Sequence, residues 1–218
     1  MTAGKNQAAP SGGEGRSILE RRAEAYASQK HRGRVKHATG LPYVSHLRRT
    51  AELVRRYVPA GDPLREEMLA AAWLHDVLED TAASREELAA EFGAAVADMV
   101  WAVTDGPGRT REERKGATYP RIRATPGAAV IKLCDRIANV EEAREAASAV
   151  TGGASAGPGG TGGVAGARKM LGIYRREQRV LSDALPALTG VEARLLGLLE
   201  EVLAAENGAP PEKDRITF

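Results

Sequence analysis

Apolar residues recur along most of this chain at intervals of three and four, the period of a helix with one buried face. Ile18 to Lys30, rich in Ala, Glu and Arg, predicts the first helix. Leu41-Pro42-Tyr43 opens a second, with Pro42 in a first turn that does not need its missing N–H, and Val44, Leu47, Ala51 and Val54 follow as a buried stripe. Asp62-Pro63 reads as N-cap and N1 of a third, whose Leu69, Ala72, Trp73 and Val77 keep helical spacing. Ser84 with Glu87 three residues on is a capping-box signal for a short helix ending near Gly93. Ala94 to Val103 predicts a fifth helix, and Thr125-Pro126 opens a sixth that runs to about Ala149. Two more, about Gly166–Leu185 and Thr189–Ala205, follow. The one alternating run, Ala129–Leu133, is short and flanked by helical patterns, so it is read as helix. The expected fold is all-α, a single helical bundle, with no internal repeat.

Three stretches break the pattern. Residues 1–15 are small, polar and aperiodic and read as a disordered tail, and 207–218 reads as a loose, Pro- and charge-rich end. Thr151 to Gly163, TGGASAGPGGTGG, reads as a flexible Gly-rich insertion in a helix–helix connection within one domain spanning 16–206. Across the 218 residues, 43% are hydrophobic, enough for one core, and Lys+Arg 31 against Asp+Glu 29 leaves a net charge of only +2. That balance argues against a nucleic-acid binder, which needs a cation excess, but leaves room for a local basic pocket. No run approaches the ~20 apolar residues of a membrane span, and residues 1–15 lack a signal peptide's apolar stretch. With one cysteine, Cys134, read as a buried hydrophobe, the expected location is the cytoplasm.

The chemistry concentrates in Leu74-His75-Asp76-Val77-Leu78-Glu79-Asp80-Thr81. On a continuous helix His75/Glu79 and Asp76/Asp80 are i, i+4 pairs, so an imidazole and three carboxylates share one sector of a core-facing helix. Buried unpaired, such groups repel and desolvate badly, and acidic residues are unfavourable at a helix C-terminus. A divalent cation removes both penalties. His46, beside Val44 and Leu47, and Asp135, after the apolar run Val130–Cys134, are ligand-type residues in apolar settings. With His75 and Asp76 they make two imidazoles and two carboxylates, a set suited to Mn²⁺, Fe²⁺ or Zn²⁺ with open positions for a phosphate oxygen and a water. Glu79 is placed to take or orient a proton of an attacking water, with Asp80 as its partner. Arg109, Arg111, Arg114 and Lys115 cluster after Gly108 as either a solvated face or a phosphate site. Lys132 either snorkels or faces phosphate. His31 and His37 read as surface residues, and Trp73 and Trp101 as core aromatics.

These residues resemble the HD superfamily of metal-dependent phosphohydrolases, most of all its Rel/SpoT-type branch of alarmone hydrolases. The likeness runs in family order through Gly40–His46 (GLPYVSH), Ala71–Thr81 (AAWLHDVLEDT), Glu91-Phe92-Gly93, Val103-Thr104-Asp105, Glu113-Arg114-Lys115 and Ile131–Asn139 (IKLCDRIAN), covering roughly residues 20–144. It implies a helical HD domain that binds Mn²⁺ through His46, His75, Asp76 and Asp135. Glu79 and Asp80 would then activate water to remove the 3′-pyrophosphate of guanosine tetra- or pentaphosphate, a small-molecule nucleotide. By the same likeness Asn139 would hold the ribose–phosphate region, Arg114, Lys115 and Lys132 would neutralise phosphate, and Tyr174 would line the nucleotide pocket. The family's Arg-Lys pair ahead of the Gly-x-Pro-Tyr motif is Lys36-His37 here, with Arg34 nearby as a substitute; Lys cannot stack or fork as guanidinium does. That departure keeps a second substrate class open, another nucleotide or phosphorylated cofactor such as NADPH. A non-catalytic nucleotide-sensing module is the third reading, and the presence of both Glu79 and Asp80 speaks against it.

Overall fold

The computed structural model describes residues 15–36, 39–148, 163–185, 188 and 190–205. The two expected tails, save Gly15, and the expected Gly-rich insertion, save Gly163, lie outside them, as does His37. Ten helices make up the described residues: α1 Ile18–Lys30, α2 Val44–Tyr57, α3 Arg65–Leu74, α4 Val77–Asp80, α5 Arg85–Phe92, α6 Ala94–Val103, α7 Arg111–Ala124, α8 Ala128–Ser148, α9 Val164–Ala184 and α10 Gly190–Ala204. No strand occurs among these residues beyond an isolated bridge between Val35 and Pro42, and no helix is long and apolar enough to cross a membrane. The all-α expectation holds.

Two helices are buried almost all round. Every residue of α3 from Met68 to Leu74, and every residue of α8 from Val130 to Ala138, is buried. A helix that is buried on all faces belongs in the middle of a bundle, and α3 does pack on α1, α2, α6 and α8, while α8 packs on α2, α9 and α10 as well. The α1–α3 contact is pinned by Glu20, buried on α1, which accepts from Trp73 Nε1 at 3.2 Å and from Arg16 Nε at 3.0 Å, and also pairs with Arg55 of α2.

Four local readings need correction, each for a physical reason. The third helix begins at Arg65, because the Asp62 carboxylate caps a preceding turn by accepting from Leu64 N–H at 2.9 Å. It also stops at Leu74 rather than running through Val77: Asp76 sits at φ −96°, ψ −2°, and a four-residue helix restarts at Val77. Ser84 does cap α5, accepting from Glu87 N–H at 3.1 Å, but the Glu87 carboxylate turns away to Tyr26 and Lys30 of α1. Finally, α7 had no apolar stripe to announce it and carries Gly116 and Pro120, yet a full capping box of Thr110 and Glu113 starts it.

Trp101 is 40% exposed rather than in the core, its ring flanked by the guanidiniums of Arg121 at 4.6 Å and Arg85 at 5.8 Å. Cys134 is fully buried, and burial holds its thiol well above the ordinary range, as expected of an inert packing residue.

Gly127 makes the turn into α8, the helix that carries Asp135. Its φ of +81° is left-handed, and an added Cβ would lie 3.0 Å from both Met68 Cγ and Met99 Cε. Gly127→Ala is therefore expected to destabilise the fold by about 1–2 kcal/mol, a fall of several degrees in a thermal melt. An unchanged melting temperature would show that this turn tolerates a side chain.

Candidate metal and phosphate site

The break between α3 and α4 is where the site begins. Helix ends leave carbonyls without intrahelical partners, and at the end of α3 the Ala72 carbonyl accepts from His75 Nδ1 at 2.8 Å. That contact turns His75 Nε2 inward. On α2, His46 Nδ1 lies 3.0 Å from Glu142 Oε1. A carbonyl and an ionised carboxylate can only accept, so each ring carries its proton on Nδ1 and presents an Nε2 lone pair. Both Nε2 atoms are buried without a hydrogen-bond partner.

What they face is carboxylate. His46 Nε2 lies 3.3 Å from Asp135 Oδ1 and 3.8 Å from Asp76 Oδ2. His75 Nε2 lies 3.1 Å from Asp76 Oδ2 and 3.5 Å from Asp135 Oδ1. One donor atom from each of His46, His75 and Asp135 falls within 4.8 Å of the others, and all three residues are buried. Asp76 stands beside this trio, its Oδ2 also accepting from Tyr43 OH at 2.7 Å. The set comes from α2, the α3–α4 break and α8.

Lone pairs directed at carboxylates at these distances repel unless something positive lies between them. A proton is the minimal answer: burial opposes charge on His75, but the Asp76 and Asp135 carboxylates outweigh it and push its pKa up to about 10. Both carboxyls are held well below the ordinary range despite burial, Asp76 by His75 and Asp135 by Lys132 and the two imidazoles. The chemistry of the donor set, two neutral imidazole nitrogens with carboxylate oxygens, fits a divalent first-row cation.

Helix α8 stages the rest. Asn139, one turn beyond Asp135, donates its side-chain amide to the Asp135 carbonyl at 2.9 Å and to Oδ1 at 2.5 Å. The Lys132 ammonium reaches Asp135 Oδ2 at 3.2 Å, so it points into the site and does not snorkel. Glu79 on α4 accepts from Asp105 N–H at 2.6 Å through Oε1, and burial together with the Asp76 charge raises its pKa. Asp80 is gripped by Arg34, whose Nη2 lies 2.9 Å from Oδ1 and whose Nη1 also donates to the Asp80 carbonyl.

Two cavities meet over these residues. The inner one, of about 240 Å³, is lined by Asp76, Glu79, Asp105 and Asp135 and by five cations, Lys36, Arg111, Lys115, Lys132 and Arg136. The outer cleft, of about 560 Å³, is lined by apolar Val35, Ala143 and Met170 and by Arg34, Asp80 and Glu142. Lys36, Tyr43, Asn139 and Tyr174 line both. Lys36 lies over the Tyr43 ring at 5.0 Å, and its N–H donates to the Leu41 carbonyl.

Of the residues read from the sequence, Lys36, Lys115, Lys132, Asn139 and Tyr174 gather at these cavities with His46, His75, Asp76, Glu79, Asp80 and Asp135 near them. Arg114 does not line either cavity; its guanidinium lies over the Gly108 carbonyl and 3.7 Å from Asp105. Arg111, one turn earlier on α7, and Arg136 stand there instead. His31 is not a surface residue but is buried, its ring stacked on Tyr43 at 4.9 Å and its Nε2 3.8 Å from Asp80. Glu142 was also missed, although its place seven residues past Asp135 puts it on the same face of α8.

Arg111 and Arg136 are held by one carboxylate, Glu177 of α9, with Arg136 Nη1 at 2.6 Å and its guanidinium 4.7 Å over the Tyr174 ring. Burial opposes ionisation of Glu177, but the two guanidiniums bring its pKa down from 4.5 to about 2. Because the folded pKa is depressed, this stabilisation is complete above about pH 4.5 and is lost as pH falls toward 2; it amounts to at most about 3 kcal/mol. Glu177→Gln is expected to lower stability at pH 7 and to flatten the stability profile between pH 4.5 and 2. Urea melts across that window test it, and parallel profiles for both proteins would contradict the assignment.

A family model described as HD domain matches residues 23–156, more than half of the chain. A curated relative from Homo sapiens, named guanosine-3′,5′-bis(diphosphate) 3′-pyrophosphohydrolase MESH1, is 34% identical over 133 residues, 60% of this chain and 72% of that protein. A guanosine-3′,5′-bis(diphosphate) 3′-pyrophosphohydrolase from Aquifex aeolicus is 36% identical over 124 residues, 55% of this chain but only 17% of the longer protein. Among solved structures, that of a metazoan ortholog of SpoT said to hydrolyse ppGpp superposes with a TM-score of 0.61 at 26% identity, covering 85% of this chain and 94% of that one.

Proposed function

The chain belongs to the HD-domain family, and from that premise we propose that it is a divalent-metal-dependent phosphohydrolase that removes the 3′-pyrophosphate of guanosine tetra- or pentaphosphate. The observation that carries this reading is the pair of inward-facing imidazole lone pairs set against two carboxylates beneath a small cavity walled by five cations. His46, His75, Asp76 and Asp135 would hold the cation, Mn²⁺ in this proposal with Fe²⁺ and Zn²⁺ as alternatives. When bound it supplies a Lewis acid beside the phosphoryl group.

The protein's own residues do the remaining work. Lys115, Lys132 and Lys36, with Arg111 and Arg136, counter the charge of a diphosphate in the inner cavity. Lys115, whose ammonium is held by Asp105, has its pKa lowered by burial and the neighbouring Lys132 against that pairing, so an arriving anion would favour its charged form. Glu79 has one oxygen fixed by the Asp105 amide, leaving the other to take a proton from the attacking water. Its raised pKa brings it closer to the working range of a general base. Asp80, pinned by Arg34, lines the outer cleft rather than the inner cavity, on the side where the nucleoside would lie. The cleft's apolar walls and Tyr174 suit a base and ribose, and its volume is of nucleoside size. Because the Arg34 guanidinium is taken up by Asp80, Lys36 is the cation left to approach the ligand. Asn139 spends its amide N–H groups on Asp135, so its contribution to the substrate would come through its side-chain oxygen.

The purified protein with Mn²⁺ is expected to release pyrophosphate from guanosine tetraphosphate, and Asp76→Ala to abolish release. Glu79→Gln should lower kcat by about 10²- to 10⁴-fold with little change in KM. A panel that includes NADPH, read for pyrophosphate and phosphate separately, tests the substrate. Turnover of NADPH above that of the alarmone would overturn the alarmone assignment, and wild-type release no faster than that of Asp76→Ala would overturn the enzymatic reading.

A further inference from the structure

Glu142 has no part in the reading above, yet it is 5% exposed and touches both halves of the site. Its Oε1 accepts from His46 Nδ1 at 3.0 Å. Its Oε2 is buried without a hydrogen-bond partner, and the nearest ammonium is Lys36 Nζ at 3.9 Å. Burial opposes its charge, but the hydrogen bond from His46 and the positive charges of Lys36 and Arg49 hold its pKa below the ordinary range.

We propose that Glu142 is a positioning residue that couples cation binding to nucleotide binding, one oxygen orienting the ligand His46 and the other facing the substrate-side Lys36. The inference rests on the metal-dependent reading of the site. Through Oε1, the carboxylate keeps the His46 proton on Nδ1 and makes Nε2 a stronger donor, as carboxylates behind metal-bound imidazoles do. Through Oε2, it shares its charge with Lys36. When a phosphate draws Lys36 toward the inner cavity, less of that charge is compensated there and more acts on His46, which tightens the hold on the cation. By the same linkage, a bound cation engages Glu142 through His46 and releases Lys36 toward phosphate. The coupling is positive in both directions.

Calorimetric titration of Mn²⁺ into chelator-stripped protein, with no substrate present, reads the first half directly. Glu142→Gln is expected to weaken Mn²⁺ binding about 10- to 100-fold while its melting temperature stays close to wild type. Lys36→Met, which removes one of the cations that offset the Glu142 charge, is expected to tighten Mn²⁺ binding severalfold. If the amide variant melts before it can be titrated, Glu142→Asp, which keeps the charge but draws back by one methylene, should still weaken binding severalfold. Mn²⁺ affinities within twofold of wild type for the Glu142 variants would overturn the positioning role. An unchanged affinity in Lys36→Met would overturn the coupling. Wild-type protein that takes up no divalent cation would instead strike the metal-dependent reading itself.

Discussion

The arrangement of this protein depends on an electrostatic conflict: two buried imidazole lone pairs and two carboxylates at the floor of a cavity, held within a few ångströms of each other. Left to themselves such groups would move apart or be solvated. They stay together because each is tied from behind, His46 by Glu142, His75 by the Ala72 carbonyl, Asp135 by Asn139 and Lys132, and Asp76 by Tyr43. A scaffold that restrains four donors so fully and leaves both imidazole Nε2 atoms without hydrogen-bond partners is preorganised for a cation.

The helices can be understood as the means of that restraint. The core burial of α3 and α8 supplies rigid platforms, and the interruption of α3 at His75–Asp76 lets consecutive residues serve the site while the chain continues into α4 with Glu79 and Asp80. The face of α8 then presents Lys132, Asp135, Asn139 and Glu142 at intervals of three and four, so one helix contributes a carboxylate of the cluster, its supports and an ammonium that points into the site. Helix α7 adds Arg111 and Lys115, and α9 adds Glu177 to hold the guanidiniums in place.

Much of this was legible in the sequence. The helical period located α1, α2, α6, α8, α9 and α10 within a few residues, because each has an apolar stripe long enough to dominate local chemistry. The convergence of His46, His75, Asp76 and Asp135 was legible because ligand-type residues stood in apolar settings, a conflict that calls for an explanation. What was not legible had no such conflict to mark it. Helix α7 is polar, with Gly and Pro inside it, and is held by tertiary contacts and its capping box. The break after Leu74 depends on a side-chain-to-carbonyl bond that periodicity does not encode. Arg111 and Arg114 are equivalent as cations in a basic run; only the direction each takes from α7 places one at the inner cavity and the other over the Gly108 carbonyl. His31 and Glu142 are defined by partners far away in the chain, which a local reading cannot supply.

The most direct measurement is anomalous diffraction at the manganese edge from crystals grown with Mn²⁺. The account predicts a single strong peak about 2.0–2.3 Å from His46 Nε2, His75 Nε2 and a carboxylate oxygen of Asp135. A peak bound elsewhere, or none at this position with the cation in excess, would contradict it.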